Sequence, residues 1–493
     1  MDRLPLVNDF IAALRMLQFP DIAFKDWHQT VEEALKQKKS SQSLKREFRE
    51  MLSDLCEDGS VNVSGVRQRF AKAVKKKLVD AFGSNGEKLA SMSPNDFRAK
   101  CRQIMGSYKI DKPTSLKDIS PWLARFSMLQ HSVGLEIPGQ YTGKCKPMPE
   151  YHVQISGFDE KILVLSSKQR PCRVTVQGND ERDYRFLVKT GEDLRQDDRI
   201  ERLFQVMNRA FAADPTCRAK RLHLVTYKVV PLTTRVGLIE WLSNTVVLRE
   251  FIQKGMDDAE VKIFNQLPTR SGLSGASDYI RAYEQLKTTQ LKSAFHKNAA
   301  SVDRKALYKA FLNLSSCFEA FFTLRSRFVA SHAAICIAHW VLGIGDRHLE
   351  NFLVNVETGQ EVGIDFGYAF GVATQFLPVP ELMPFRLTPQ YLSLTDPLRQ
   401  HGGYSCSMQH VLRVLRSNRQ TLLNVLDVFV KEPTVDWMRY AKMQSVQTGE
   451  SSERNATGAD DGSEKWYPRQ KVCTVREKLG GRHPSYIFRD EVR

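Results

Sequence analysis

The chain contains 493 residues, 42% of them hydrophobic, which is enough to bury sizeable cores in about three domains. Its nine cysteines include no Cys-x-x-Cys pair, so neither a disulfide framework nor a zinc site is expected. A formal net charge of +16 suggests an acidic partner, although Lys-rich solvated helix faces at residues 36–49 and 72–77 account for much of it.

The first part of the chain, residues 1–140, has the apolar spacing of helices. Arg15 interrupts its initial apolar stretch and no cleavage-like site follows, so a secretory signal is not expected. We predict three further parts: a strand-rich part at 141–242, a helical part at 243–432 and a tail at 433–493. Residues 448–463 of the tail are rich in Gly, Ser, Glu and Asp and are predicted to be disordered. This order of elements predicts an α+β fold.

The strand-rich part begins with two predicted strands, 162–165 and 173–176, joined by a polar turn. The Ser167 hydroxyl, the Lys168 ammonium and backbone amides of that turn could contact phosphate oxygens, although an ordinary surface turn has the same composition. The next predicted strand, 184–189, ends in Lys189, which could hold the phosphates of a nucleotide. A lysine at the end of an edge strand is also common without that role.

A helix is predicted from Asp193 onward, because apolar residues recur there at helical spacing. Asp197 lies on the same stripe and is therefore expected to be buried. An unpaired buried carboxylate is costly, so Asp197 needs a cation, and Lys189 is the nearest candidate in the sequence. The alternative is a surface helix whose arginines form salt bridges.

A predicted buried helix, 328–344, is too short and too polar to span a membrane and leads into the loop 345–351. The Asp-Phe-Gly motif, which begins at Asp365, follows 14 residues after Asn351. This spacing is typical of phosphotransferases, in which Asp346 would accept the proton of a substrate hydroxyl while Asn351 and Asp365 hold Mg²⁺. The alternative is a chance Asp-Phe-Gly triplet beside an Asp346 that only caps a helix.

The residues between Asn351 and Asp365 are predicted to form a hairpin with Thr358-Gly359 at its tip and Phe352 opposite Asp365. In that arrangement Asn351 and Asp365 lie side by side, and two oxygen ligands converge as Mg²⁺ requires. His348 could donate a hydrogen bond to the transferring phosphate or to the acceptor.

Five segments together resemble the phosphatidylinositol 3-kinase-related protein kinases: 135–141, 167–171, 192–197, 345–351 and 364–367. The order Asp346-Arg347-His348, with His after Asp, is part of that resemblance. It implies a bilobal kinase fold preceded by a helical clasp, the use of ATP and Mg²⁺, and adenine contacts from Tyr227 and Trp241. The pattern itself predicts a strand at 224–230 and the end of another at 237–241, although a Trp after an aliphatic run can equally belong to a core.

The segment after the Asp-Phe-Gly motif, residues 367–385, contains no Lys or Arg. A phosphoinositide headgroup carries several negative charges and would need a cationic segment, whereas this apolar, Pro-rich segment suits an extended peptide. We therefore predict a Ser/Thr protein kinase, and the resemblance implies transfer to Ser or Thr followed by Gln. A lipid kinase is one alternative. A catalytically silent interaction module is another, because the resemblance implies a short C-terminal helical module that the tail does not match.

Three more segments, 375–388, 427–433 and 466–471, resemble one member of that family in particular. This likeness implies a nuclear protein of DNA double-strand-break repair by end joining, with proteins as substrates. It also implies that a Ku heterodimer and DNA ends are partners, mainly through regions outside this chain. The chain itself contains no nucleic-acid-binding motif, and no membrane association is expected.

Overall fold

The structure is a computed structural model, and it describes residues 4–56, 64–106, 108, 113–141, 143, 146, 148–270, 287–300, 302–377, 379–432, 434, 437 and 466–487. The chain forms two compact units. The first contains residues 1–195 and 228–241, and the second contains residues 196–227 and 242–493. The stretch predicted to be disordered, 448–463, lies outside the described residues, and the predicted division into four parts stays a prediction.

The first unit begins with amphipathic helices. They are α1 (Leu4–Arg15), α2 (Pro20–Lys36), α3 (Ser41–Cys56), α4 (Gly65–Phe82), α5 (Pro94–Met105), α6 (Leu116–Ile119) and α7 (Pro121–Arg125). Their apolar residues recur every three or four positions, as in α3, where Leu44 and Phe48 are buried. Helices α4 and α5 start at serine caps, because Ser64 and Ser93 each accept a hydrogen bond from a backbone amide of the first turn.

An antiparallel sheet completes the first unit. Its strands are β1 (Ile155–Phe158), β2 (Leu163–Val164), β3 (Cys172–Gly178), β4 (Asp183–Thr190), β5 (Val229–Pro231) and β6 (Val236–Glu240). They follow the order β1-β3-β4-β6-β5, and β2 also pairs with β3. Phe186 and Val188 of β4 are buried in a core shared with α1, whereas Lys189 alternates to the other face, opposite Gly237 of β6. The strands predicted on both sides of the polar turn, and the one that ends near Lys189, are confirmed.

The second unit is mainly helical, and α8 enters it at Gln196. Its helices are α8 (Arg195–Ala213), α9 (Pro215–Ala219), α10 (Leu248–Gln253), α11 (Asp258–Arg270), α12 (Thr288–Ala300), α13 (Ala306–Leu314), α14 (Phe318–Leu342), α15 (Val372–Phe376), α16 (Pro389–Ser393), α17 (Gly403–Ser417), α18 (Arg419–Lys431) and α19 (Trp466–Gly480). From Phe328 onward α14 is buried on nearly all sides, which confirms the predicted buried helix. It ends at Gly343, whose left-handed backbone (φ 59°) stops the helix before the loop. Within the described ranges, no helix has the length and apolar character needed to cross a membrane.

The strand predicted at 224–230 is wrong for most of its length, because β5 covers only its end. Side chains of α8, and not a neighbouring strand, satisfy the preceding backbone. Asn208 exchanges two hydrogen bonds with Leu224, of 2.7 and 2.9 Å. Glu201 accepts a third from the Tyr227 amide at 3.1 Å. Tyr227 is therefore held by a helix.

A small antiparallel sheet carries the predicted hairpin. Its strands are β7 (Thr245–Val247), β8 (Phe352–Asn355) and β9 (Glu361–Gly363), in that order. The hairpin exists, but Phe352 pairs with Gly363, so the predicted pairing of Phe352 with Asp365 is wrong by two residues. The reason lies in the turn, where the Asn355 side chain accepts hydrogen bonds from the amides of residues 357 and 358 at 3.0 and 2.9 Å. This cap closes the turn one residue earlier than predicted.

Candidate active site

Asn351 and Asp365 are neighbours across the hairpin despite the corrected register. The Ile364 amide donates to the Asn351 oxygen at 3.1 Å, so Asp365 directly follows the residue paired with Asn351. The Asn351 side chain is buried, and its Nδ2 donates to the backbone oxygen of Asp346 at 2.8 Å. This bond leaves Oδ1 of Asn351 as the atom that can bind a cation. The hairpin and this bond bring together the three residues that the spacing singled out.

Arg347, which the sequence analysis did not single out, ties the loop to the Asp-Phe-Gly motif. Its buried guanidinium, in a residue 3% exposed, donates to the backbone oxygens of Gly345 at 2.6 Å, Ile364 at 3.0 Å, and Asp365. Burial lowers the pKa of Arg347, and the carboxylates of Asp365 and Asp346 oppose that shift. A charged group with three carbonyl acceptors fixes the two motifs relative to each other.

The residues with reactive side chains are more exposed than Arg347 and Asn351, whose hydrogen bonds hold the loop. Asp346 is partly buried, whereas His348 and Asp365 are exposed. His348 accepts a hydrogen bond at Nδ1 from the Glu350 amide, at 3.2 Å, so in the neutral ring Nε2 carries the proton and can donate. Asp346 and Asp365 both have left-handed backbone, with φ of 58° and 60°, a conformation uncommon for residues other than glycine.

The activation segment, residues 367–385, holds the loop from another side. The Glu381 carboxylate accepts hydrogen bonds from the backbone amides of Asp346 and, at 3.5 Å, of Arg347. The packing leaves no room for a side chain at Gly345. A Cβ there would lie 2.3 Å from the Cβ of an alanine in the activation segment and 3.1 Å from Oε2 of Glu381.

The first turn of α8 holds the Asp-Phe-Gly motif. Asp197 is 6% exposed, which confirms its predicted burial, and its Oδ1 accepts a hydrogen bond from the Phe366 amide at 3.1 Å. Gln196 donates from Nε2 to the oxygens of Phe366 and Gly367 at 2.6 and 3.0 Å. The Phe366 ring is buried against Phe204, with centroids 5.4 Å apart. The apolar stripe therefore located Asp197 but gave no sign of its contact with the motif.

A buried ion pair anchors β9. His332 of α14 and Glu361 of β9 are at most 1% exposed, and Nδ1 of the first lies 2.5 Å from Oε2 of the second. Burial lowers the pKa of His332, but Cys336 and the Glu361 carboxylate outweigh this effect and raise the pKa to about 10. Glu361 also accepts a hydrogen bond of 3.0 Å from Tyr391, whose ring stacks on His332 at 4.0 Å. The strand that leads to the Asp-Phe-Gly motif is thus held by charge as well as by packing.

The residues predicted to contact phosphate lie in the first unit. Lys189 is on β4, with Nζ 3.1 Å from Oε2 of Glu192. Ser167 and Lys168 are exposed in the turn between β2 and β3. Their phosphate contacts, and the pairing of Lys189 with Asp197, stay predictions.

The two aromatic residues predicted to contact adenine differ in surroundings. Trp241 follows β6 and is partly buried, with the Arg173 guanidinium 5.1 Å from the centroid of its ring. Tyr227 is 4% exposed in the second unit. Burial raises the pKa of Tyr227 well above its usual value, and the carboxylates of Glu201 and Asp197 raise it further, so its phenol is neutral. Adenine contact by either residue stays a prediction.

The donor set fits Mg²⁺. The Asn351 amide oxygen and the Asp365 carboxylate are the hard oxygen ligands that this ion prefers. Among the residues that the structure describes, no three His, Cys, Asp or Glu side chains form a metal-binding group. Mg²⁺ does not require such a cage, because it commonly combines one or two protein oxygens with phosphate oxygens and water.

Comparison with known proteins agrees with this geometry. The family model described as phosphatidylinositol 3- and 4-kinase matches residues 183–439, which include α8, the hairpin and the activation segment. The chain belongs to the phosphatidylinositol 3- and 4-kinase family. The resemblance inferred from the motifs, and the α+β fold preceded by a helical region, are therefore confirmed.

Individual relatives show which members of this family the chain resembles. Over 100% of its length the chain is 44% identical to the DNA-dependent protein kinase catalytic subunit of Gallus gallus and 42% identical to that of Xenopus laevis. It is also 33% identical, over 69% of its length, to the serine/threonine-protein kinase tor1 of Schizosaccharomyces pombe and covers 14% of that protein. The chain spans only 12% of the length of the first two relatives. The segments 375–388, 427–433 and 466–471 had indicated this same catalytic subunit, and that resemblance is confirmed.

Proposed function

We propose that this chain is the catalytic region of a Ser/Thr protein kinase that transfers the γ-phosphate of ATP to a protein hydroxyl. The observation that carries the proposal is the connection between the loop and the Asp-Phe-Gly motif. The Asn351–Asp346 bond and the Arg347 bonds to Ile364 and Asp365 join an acid–base group and two cation ligands in one hydrogen-bonded unit. Membership of the kinase family supports the same chemistry.

In this proposal Asp346 accepts the proton of the substrate hydroxyl, and His348 donates from Nε2 to the phosphate or the acceptor. Asn351 and Asp365 hold Mg²⁺, which when bound neutralises charge on the β- and γ-phosphates. The remaining roles are phosphate contact by Ser167, Lys168 and Lys189, support of Lys189 by Asp197, and adenine contact by Tyr227 and Trp241.

We propose proteins as acceptors because of the surface of the activation segment. The segment contains no Lys or Arg, and it exposes Val379, Leu382 and Met383 by 37%, 44% and 73%. Such a surface suits an extended peptide, and the segment itself supplies no Lys or Arg side chain to an inositol phosphate headgroup. Ser or Thr followed by Gln is the proposed target, as the motif resemblance implies.

We further propose that the complete protein acts in the nucleus, in the repair of DNA double-strand breaks by end joining. The name of two relatives, DNA-dependent protein kinase catalytic subunit, supports a link to DNA. Contacts with DNA ends and a Ku heterodimer are proposed for regions outside this chain.

The direct test is transfer of labelled phosphate from ATP and Mg²⁺ to a Ser-Gln peptide by the purified chain. Asp346→Asn is expected to slow transfer by about a hundredfold or more, the usual effect of losing a general base, while ATP still binds. Glu350→Gln changes an exposed acid of the same loop and should keep the wild-type rate. Equal rates for wild type and Asp346→Asn would refute the catalytic assignment.

Other acceptors decide the substrate class. A peptide with Asn in place of Gln should be phosphorylated more slowly, and equal rates would refute the Ser/Thr-Gln preference. Phosphatidylinositol vesicles should yield no product, and phosphorylated lipid without phosphorylated peptide would favour a lipid kinase. ATP binding without transfer to any acceptor would favour a silent interaction module.

A further inference from the structure

Gln196 connects the Asp-Phe-Gly motif to the C-terminal tail. Its side chain is buried at the first turn of α8, with 5% of the residue exposed. Its Nε2 donates to the oxygens of Phe366 and Gly367, at 2.6 and 3.0 Å, while its Oε1 accepts from Nε1 of Trp437 at 2.6 Å. One amide group therefore bridges two segments that are far apart in the sequence.

The indole of Trp437 determines which way this amide faces. An indole nitrogen is only a donor, so it pairs with Oε1 of Gln196 and not with the NH₂ group. With Oε1 held there, the NH₂ group must face the two backbone oxygens. A reversed amide would turn Oε1 against the oxygens of Phe366 and Gly367 and take the donor away from the buried Phe366 oxygen, which is costly.

Trp437 is itself held by aromatic packing. It is 1% exposed and lies among the rings of Phe370, Phe429 and Tyr467, with centroid distances of 5.0, 5.6 and 6.0 Å. These rings come from the activation segment, α18 and α19 respectively. The position of the indole therefore depends on three elements of the second unit.

A second contact, one turn further along α8, holds the residue that directly precedes the tail. Arg199 donates from Nη2 to Oε2 of Glu432 at 2.8 Å, and its guanidinium lies 5.6 Å from the ring centroid of Phe429. Gln196 and Arg199 are three positions apart, so they lie on one face of the helix. Glu432 and Trp437 are thus fixed to α8 at two successive points.

We propose that Trp437 is a positioning residue for the Asp-Phe-Gly motif, acting through Gln196; this inference rests on the proposed kinase function. Fixed oxygens at Phe366 and Gly367 hold the backbone next to Asp365, and so the carboxylate proposed to bind Mg²⁺. The rate of phosphate transfer then depends on how Trp437 of the tail packs against its neighbours. Trp437 sets that rate without touching the substrate.

The test compares Trp437→Phe, Gln196→Met and the double variant in the full chain. Trp437→Phe removes the N–H donor and should raise the Mg²⁺ concentration for half-maximal rate about two- to tenfold, the effect of one hydrogen bond. It should lower kcat and leave the KM of the peptide unchanged. In the Gln196→Met background it should add nothing, because the bridge is already lost. Gln196→Glu should be at least as harmful as Gln196→Met, because a carboxylate has no N–H for the backbone oxygens.

Trp27 provides a matched control. It is a buried tryptophan of the first unit, and its Nε1 has no hydrogen-bond partner among the residues that the structure describes. Trp27→Phe should leave the Mg²⁺ requirement at the wild-type value. An unchanged requirement in Trp437→Phe, or additive effects of Trp437→Phe and Gln196→Met, would overturn the proposal.

A readout without catalysis separates this inference from the proposed function. Amide hydrogen exchange of residues 364–371 should be faster in Trp437→Phe and Gln196→Met than in wild type, and unchanged in Trp27→Phe. Faster exchange in a chain that transfers no phosphate would support the bridge and overturn the kinase proposal alone. Unchanged exchange in Trp437→Phe would overturn the bridge whatever the activity.

Discussion

Replacing His332 with phenylalanine should destabilise the hairpin between Asn351 and Asp365 by about 3–5 kcal/mol. The new ring keeps the stacking on Tyr391 but leaves the Glu361 carboxylate, which is 0% exposed, without its cation. The cost is this large because the remaining charge stays desolvated. In the double variant His332→Phe with Glu361→Gln no charge is left, and about half of the loss or more should be recovered.

The raised pKa of His332, to which Cys336 and Glu361 both contribute, predicts a pH dependence of stability. The pKa of His332 is about 10 in the folded chain, raised from 6.5. The stabilisation is therefore complete below pH 6.5 and is lost as the pH rises, by up to about 1.4 kcal/mol per pH unit. Between pH 6.5 and pH 9 the wild type should lose roughly 3 kcal/mol of stability through this group, and His332→Phe should lose none through it.

Urea unfolding, followed by circular dichroism at pH 6.5 and at pH 9, measures the loss of stability and its pH dependence. Both are obtained from the unfolding transition whose midpoint changes in His332→Phe. Tyr391→Phe is the control, because it removes one hydrogen bond to Glu361, worth about 1.5–3 kcal/mol, and keeps the pH dependence. The reasoning is refuted if wild type and His332→Phe differ by less than about 1 kcal/mol at pH 6.5. It is also refuted if their difference is the same at both pH values.

Two further substitutions test contacts around the loop. Gly345→Ala would place a Cβ 2.3 Å from an atom of the activation segment, and it should cost about 1–3 kcal/mol of stability and most of the phosphate transfer. Gly480→Ala is the control, because its Cβ meets no atom within 4 Å, and it should change neither the stability nor the transfer. Equal midpoints of urea unfolding for the two variants would contradict this reasoning. Asp197→Asn keeps an oxygen for the Phe366 amide but removes the charge, so the KM for ATP should rise about tenfold. Asp198→Asn is its control, because this neighbouring, partly buried aspartate of α8 accepts its hydrogen bonds from Arg202 and has no contact with the Phe366 amide among those the structure describes. Equal KM values in the two variants would count against a role of Asp197.

Local spacing was enough to locate much of the candidate site. The interval from Asp346 to Asn351 and on to Asp365 predicted a hairpin and the proximity of its end residues, and both are present in the structure. The helical period predicted the burial of Asp197. Such patterns succeed because a helix or a two-stranded turn is determined by residues close in sequence.

The hairpin register could not be predicted from the alternation of apolar residues alone. Sliding one strand by two residues keeps every side chain on its own face, so apolar alternation cannot distinguish the two registers. The choice fell to the Asn355 side chain, which binds two amides of the turn. A short polar residue at the start of a turn was the available signal, because Asn commonly caps turns in this way.

The supports of the site were beyond sequence analysis for a different reason. Glu381 binds the amide of Asp346, and Trp437 binds the side chain of Gln196, over separations of 35 and 241 residues. Contacts of this range leave no periodic trace in a single chain. Arg347 was passed over because a charged residue in a loop usually faces solvent, whereas here it fills a buried space lined with carbonyl groups.

The left-handed backbone at Asp346 and Asp365 raises the question of why these two positions hold aspartate and not glycine. Holding a residue with a Cβ in that conformation costs about 1 kcal/mol or more, and glycine would avoid the cost. Exchanging either aspartate for glycine would remove this cost, but it would also remove a carboxylate proposed to accept the substrate proton or to bind Mg²⁺. This chain bears the cost at both positions, which weighs against a purely structural role.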